Sequence, residues 1–124
     1  MTPSRDEAVT TEAHAAPPEA WDAIAEGYDR HVAPQEVELA TEALQLVGLE
    51  PGERFLDVAA GTGGLGLPAA RRGAQVLATD WSPAMIERFQ ARVREEGLRD
   101  ASGRVTRATF YQGGRRTAAA TRLP

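Results

Sequence analysis

The sequence predicts an α/β fold built on a short, doubly wound parallel sheet, and three observations carry that prediction. Two apolar runs of strand length, RFLDVAA from Arg54 and AQVLATD from Ala74, are each followed by a segment with helical spacing. The first run is almost continuously hydrophobic, which suits a strand covered on both faces of a parallel sheet. A glycine-rich loop joins it to its helix, and the order strand, loop, helix, strand, helix calls for right-handed crossovers.

Taken in order, residues 1–16 are rich in Thr, Ala, Glu and Pro without a period and read as a disordered leader. From Pro17, the residues Trp21, Ile24, Ala25 and Tyr28 recur at helical spacing, with Glu26, Asp29 and Arg30 outside the stripe. A second helix is expected from Pro34 to about Val47, with Val37, Ala40, Leu44 and Val47 on one face and Gly48 as its stop. Pro51 and Gly52 form a turn before the first strand. The helix after the glycine loop runs from Leu65 to Arg72, with Pro68 tolerable in its first turn and Gly73 ending it. After the second strand, Ser82 and Pro83 open a helix as N-cap and first helical residue. Met85, Ile86, Phe89 and Val93 form its apolar face, and Gly97 closes it. Arg104 to Phe110 alternates as a third strand should, so one domain is expected over 17–110, and 111–124 is an arginine-rich tail without period.

Composition narrows the function. A chain of 124 residues with 42% hydrophobic and 26% charged residues holds one modest globular core. Its net charge of -4 argues against nucleic acid or an anionic membrane as the main partner. The absence of cysteine excludes disulfides, thiolate metal sites and cysteine nucleophiles. No window approaches the run of about 20 apolar residues that spans a bilayer, and no signal-peptide pattern opens the chain, so a cytoplasmic protein is expected. His14 and His31 are assigned no role, and no metal is called for. All acids lie at or before Asp100, whereas Arg104, Arg107, Arg115, Arg116 and Arg122 follow it, so the end of the chain differs in character from the rest.

Within LDVAAGTGGLG, the residues Gly61, Gly63 and Gly66 spell G-x-G-x-x-G directly after a strand and at the opening of a helix. Glycines let the chain reverse tightly and let its backbone approach a ligand above the strand's carboxyl end. Asp80 ends the next strand, where a carboxylate can accept hydrogen bonds from both hydroxyls of a ribose. Asp57, the one charge in FLDVAAG, decides what is joined to that ribose. Two unit charges about 4 Å apart interact by roughly 4 kcal/mol at an effective dielectric of about 20, so Asp57 would repel a pyrophosphate and attract an ammonium or sulfonium. A nucleoside with a positive amino-acid arm, as in S-adenosylmethionine, fits better than a dinucleotide. Blander readings stand beside this one. The loop can be a plain turn, Asp57 a strand-end carboxylate satisfied by backbone amides, Asp80 a helix cap, and Trp21, Tyr28 and Met85 core residues.

LDVAAGTGGLG followed by ATDWSPAMIE resembles the two cofactor motifs of class I S-adenosylmethionine-dependent methyltransferases, in particular the menaquinone/ubiquinone-type and related small-molecule branch. WDAIAEGYDRHV is similar to that family's N-terminal helix, which closes over the cofactor, so the likeness covers Trp21 to Leu98. The resemblance implies the N-terminal part of a Rossmann-like fold, about three strands with flanking helices. It implies that Asp57 orients the methionine ammonium, directly or through water, while Gly61, Thr62 and Gly63 bring the backbone to the methionine arm. Asp80 would hold the ribose, Trp81 and Met85 would flank the adenine, and Tyr28 would reach the amino-acid end. Ala59 stands where many members carry glycine.

Downstream, the family's acidic residue near the adenine amino group, its D-x-x-x-L-P-F-like segment and its fourth to seventh strands have no counterpart here. The expectation is therefore a cofactor-binding portion of a methyltransferase for a small-molecule acceptor, truncated or given an unrelated end by a change of reading frame. The first strand would then be an apolar sheet edge. No catalytic residue is assigned. A nicotinamide dinucleotide-binding module and a non-catalytic fragment that needs a partner are the alternatives.

Overall fold

The computed structural model describes residues 16–100, 102–104 and 107–110. The predicted leader, apart from Ala16, and the predicted tail lie outside the described residues. Helix α1 spans Pro18–His31, entered from an extended Pro17, with Arg30 and His31 in its last turn where they complement the helix dipole. Val32 ends α1 and begins α2, Ala33–Leu46, whose buried residues include Ala40 and Leu44. Val47, expected on that face, is exposed at the helix end, and Gly48 adopts the left-handed conformation that stops the helix.

Strand β1 (Arg54–Val58), helix α3 (Gly66–Arg71), strand β2 (Gln75–Asp80), helix α4 (Pro83–Glu96) and strand β3 (Arg107–Phe110) follow. The strands pair in parallel in the order β1-β2-β3, which leaves β1 at an edge as expected. The third strand begins at Arg107, later than the sequence suggested. Before it, Asp100 folds the chain into a turn by accepting hydrogen bonds from the Ser102 and Arg104 amides at 2.8 and 2.9 Å. Such local side-chain-to-backbone bonds compete with a strand ladder.

The core lies between the sheet and the helices. Phe55, Val76 and Ala78 point toward α3 and α4 and pack with Leu67, Ile86, Phe89 and Val93. The register pairs Phe55 with Val76 and Asp57 with Ala78, so these four share one face, while Leu56 and Val58 occupy the other. There the structure departs from the reading of β1 as covered on both sides. Leu56 and Val58 are 62% and 69% exposed, because α3 and α4 cross back over the same face and no described element covers the opposite one. The fold is thus a short parallel sheet with helices on one side, a partial Rossmann-like α/β fold.

The α1 stripe is also rotated from expectation. Ile24 is 48% exposed and Asp29, placed outside the stripe by the sequence reading, is buried. Helix α4 supplies the reason: Arg92 and Arg88 meet the Asp29 carboxylate at 3.1 and 3.6 Å, so the acid is paired where α1 docks on α4.

Candidate functional site

The carboxyl ends of β1 and β2 open onto one site, shaped first by backbone conformation. Ala59 follows β1 with φ of 58°, the left-handed region that costs a residue with a Cβ roughly 1–2 kcal/mol. This is the physical reason a glycine suits the position. Ala59→Gly is expected to stabilise the fold by about 0.5–1 kcal/mol net of the greater entropy of an unfolded glycine, read as a higher midpoint in urea.

The glycine loop divides into parts with different tasks. Gly61 faces the cleft, and a Cβ there would meet only the Tyr28 ring at an ordinary 3.7 Å. Gly63 and Gly66 instead face the core: a Cβ on either would lie 2.7 Å from the Phe89 ring. The sequence reading gave these glycines to ligand approach, whereas two of the three make room for α4 against the loop. Gly63→Ala would add that overlap to a φ of 105°, and a loss of about 2 kcal/mol or more in chemical denaturation is expected.

Asp80 ties the loop to α4. Its Oδ2 accepts a hydrogen bond from the Gly61 amide at 2.9 Å and its Oδ1 accepts one from the Ser82 amide at 2.8 Å. Ser82 caps α4 as predicted, its Oγ accepting from the Met85 amide. Asp22 reinforces that cap from α1: its carboxylate accepts from Ser82 Oγ at 2.6 Å and from the Ala84 amide at 3.1 Å. Together with Asp29 this fixes α1 across the mouth of the site.

The resulting cleft has a volume of ≈ 410 Å³. Helix α1 contributes Trp21 and Tyr28, and the β1 end contributes Val58, Ala59 and Gly61. The β2 end contributes Thr79, Asp80 and Trp81, and α4 contributes Met85. Among the described residues no lining residue is basic, and Asp80 is the acid among them. Of the predicted site residues, Tyr28, Ala59, Gly61, Asp80, Trp81 and Met85 therefore meet in one cleft. In the sequence Trp21 shows only as part of a helical stripe, and Val58 and Thr79 carry no signal. Their place depends on which strand ends the fold brings together.

Asp57, Thr62 and Gly63 are buried and lie outside the lining. Asp57 is only 6% exposed, and burial pushes its carboxyl up from an ordinary 3.8 to about 6. A hydrogen bond from the Gly66 amide opposes the shift, and the charges of Glu36 and Asp80 add to it. Among the described residues, Asp57 Oδ2 and Thr62 Oγ1 are buried without a hydrogen-bond partner, a costly condition for a polar atom. Among the described residues no cluster of three or more metal-ligating side chains occurs, and no helix is long and apolar enough to cross a membrane.

Comparison with known proteins agrees with this architecture. A family model described as "Methyltransferase domain" matches residues 55–118, just over half of the chain. An uncharacterized protein of Mycobacterium tuberculosis is 53% identical over 51 residues, covering 41% of this chain and 19% of that protein. The 23S rRNA (uracil(1939)-C(5))-methyltransferase of an Azoarcus species is 42% identical over 60 residues, 48% of this chain and 14% of the enzyme. The matched stretches thus span less than a fifth of the length of these relatives. Among solved structures, a Methanococcus maripaludis protein provisionally assigned to the S-adenosyl-L-methionine-dependent methyltransferases superposes with a TM-score of 0.53 at 21% identity, over 77% of this chain and 41% of that one, a likeness of fold. With the family match laid over β1, the glycine loop, β2 and α4, the chain belongs to the methyltransferase domain family.

Proposed function

We propose that the cleft binds S-adenosylmethionine and that the chain forms the cofactor-binding part of a methyltransferase acting on a small molecule. The observation that carries this reading is the charge of the site. A nucleoside-sized cleft with no basic residue in its described lining has Asp80 in its wall and a buried Asp57 oxygen that is unpartnered among the described residues. A pyrophosphate would find no counter-charge among the described lining residues, whereas a ligand with a ribose and a cationic arm would find acceptors for both.

The side chains suit the parts of such a ligand. A carboxylate offers about four lone-pair sites, and Asp80 uses two on backbone amides, which leaves capacity for ribose hydroxyls. Trp21, Trp81 and Met85 supply apolar walls for a flat base. Asp57 favours an ammonium through its field or through a water, and the backbone at Ala59 and Gly61 borders the methionine arm. When bound, S-adenosylmethionine supplies an activated sulfonium methyl, and the task left to protein groups is to hold an acceptor in line and exclude water. We assign no residue to acceptor chemistry.

A small-molecule acceptor is supported by the net charge of -4 and the absence of basic residues from the described lining of the cleft. The similarity to an rRNA uracil methyltransferase favours an RNA acceptor as the second reading. Transfer of labelled methyl groups into an RNA fraction rather than a small-molecule fraction would select it. The cofactor is tested by isothermal titration of the chain with S-adenosylhomocysteine and, separately, with NADH. Binding of the first alone is expected. Binding of NADH alone would assign the cleft to a dinucleotide, and binding of neither by the folded chain would reduce the loop to a turn.

A further inference from the structure

Glu36, in the first turn of α2, belongs to none of the motifs above, yet it is wedged between Tyr28 of α1 and the glycine loop, both of which border the cleft. Its Oε1 accepts a hydrogen bond from the Tyr28 hydroxyl. On its other side it lies against Gly64, where a Cβ would come 2.6 Å from the Glu36 Cβ and into contact with its carboxylate. Tyr28 lines the cleft, with its ring beside Gly61. Glu36 thus links α1, α2 and the glycine loop through one side chain.

We infer that Glu36 is a positioning residue of the cofactor cleft: by accepting the Tyr28 O–H hydrogen bond, it leaves the phenol oxygen only as an acceptor and so selects a ligand with a donor group, a primary ammonium, beside it. This rests on the cofactor reading above. The chemistry follows from the groups. A phenol has one O–H donor and two acceptor lone pairs, and an ionised carboxylate can only accept. The direction of the Tyr28–Glu36 bond is therefore fixed, and the oxygen has no proton left to offer a ligand carboxylate. The phenol also stays neutral: burial first, then the Glu36 hydrogen bond and the charges of Glu36 and Asp80, push it up to about 12. Asp57 and Asp80 add to the same bias against an anionic group.

The test uses the full chain and four ligands that share one nucleoside. These are S-adenosylhomocysteine, methylthioadenosine without the amino-acid arm, and the decarboxylated and deaminated forms of S-adenosylhomocysteine. The wild type is expected to prefer S-adenosylhomocysteine over methylthioadenosine by about tenfold or more, to retain that preference for the decarboxylated form and to lose it for the deaminated one. Glu36→Ala is expected to erase most of the preference while leaving methylthioadenosine affinity within about twofold of wild type. Glu36→Gln, which keeps an acceptor for Tyr28, should restore much of it. Tyr28→Phe should cost as much as Glu36→Ala, and the double variant little more, since both act through one oxygen.

A Glu36→Ala chain that loses affinity equally for all four ligands, or for none, overturns the inference while the cofactor reading stands. A Glu36→Ala chain that fails to fold shifts the decision to Tyr28→Phe, where an unchanged preference overturns it. A wild type that binds none of the four overturns the cofactor reading and this inference with it.

Discussion

Asp80→Ala is expected to remove measurable binding of S-adenosylhomocysteine, with a loss of at least about 100-fold, and to lower stability by about 1–3 kcal/mol. The two effects come from the same oxygens. A hydrogen bond to an ionised acceptor contributes about 1.5–3 kcal/mol, so two lost ribose contacts account for two or more decades of affinity. The stability loss arises because the Gly61 and Ser82 amides, at 2.9 and 2.8 Å from the carboxylate, would lose their acceptor. Asp80→Asn separates the two tasks. An amide side chain retains one oxygen and turns two donors toward the other amide, so it should hold the loop partly and bind ligand at an intermediate level. Titration calorimetry together with a thermal melt of each variant is the check. An Asp80→Ala chain that melts lower but binds like wild type would mean that Asp80 serves the loop and the α4 cap and does not touch the ligand.

What the sequence disclosed, and what it did not, follows from the range of the interactions involved. The glycine loop, the Ser82 cap and Asp80 were legible because a turn or a cap depends on a few neighbouring residues whose chemistry is local. Ala59 was legible as a departure, and its φ of 58° supplies the cause. Asp29 was misplaced because its partners, Arg88 and Arg92, lie on another helix about 60 residues away, and no helical period contains that information. Trp21, Val58 and Thr79 reach the cleft through the docking of α1 and the pairing of β1 with β2, which local patterns do not encode. The hydrophobicity of β1 reports what a strand is able to bury. Leu56 and Val58 show that the described elements leave one of its faces uncovered.

Asp57 carries the second large expectation, because stability and binding place opposite demands on it. Its carboxyl titrates at about 6 in the fold against an ordinary 3.8, with burial as the main cause. Below about pH 3.8 the folded and unfolded forms are both protonated there, and the group costs nothing. As pH rises from about 4 to 6 the unfolded chain ionises first, which draws the equilibrium away from the fold, and above about 6 the full penalty stands. Asp57→Asn should therefore melt higher than wild type at pH 8, by the equivalent of about 1–3 kcal/mol, and the advantage should vanish near pH 4. Binding runs the other way. An ammonium near Asp57 favours its ionised form, so ligand uptake releases a proton and wild-type affinity for S-adenosylhomocysteine should climb between pH 5 and 7 and then level off. Asp57→Asn should bind more weakly at pH 8 and show a flatter profile, the charges of Glu36 and Asp80 being unchanged. Melts and titrations at pH 5, 6 and 8 measure both. An Asp57→Asn chain that is less stable at pH 8 and binds like wild type would return Asp57 to a structural carboxylate. The opposite pair of changes would identify it as a charge kept in the fold, at a cost in stability, because the ligand needs it.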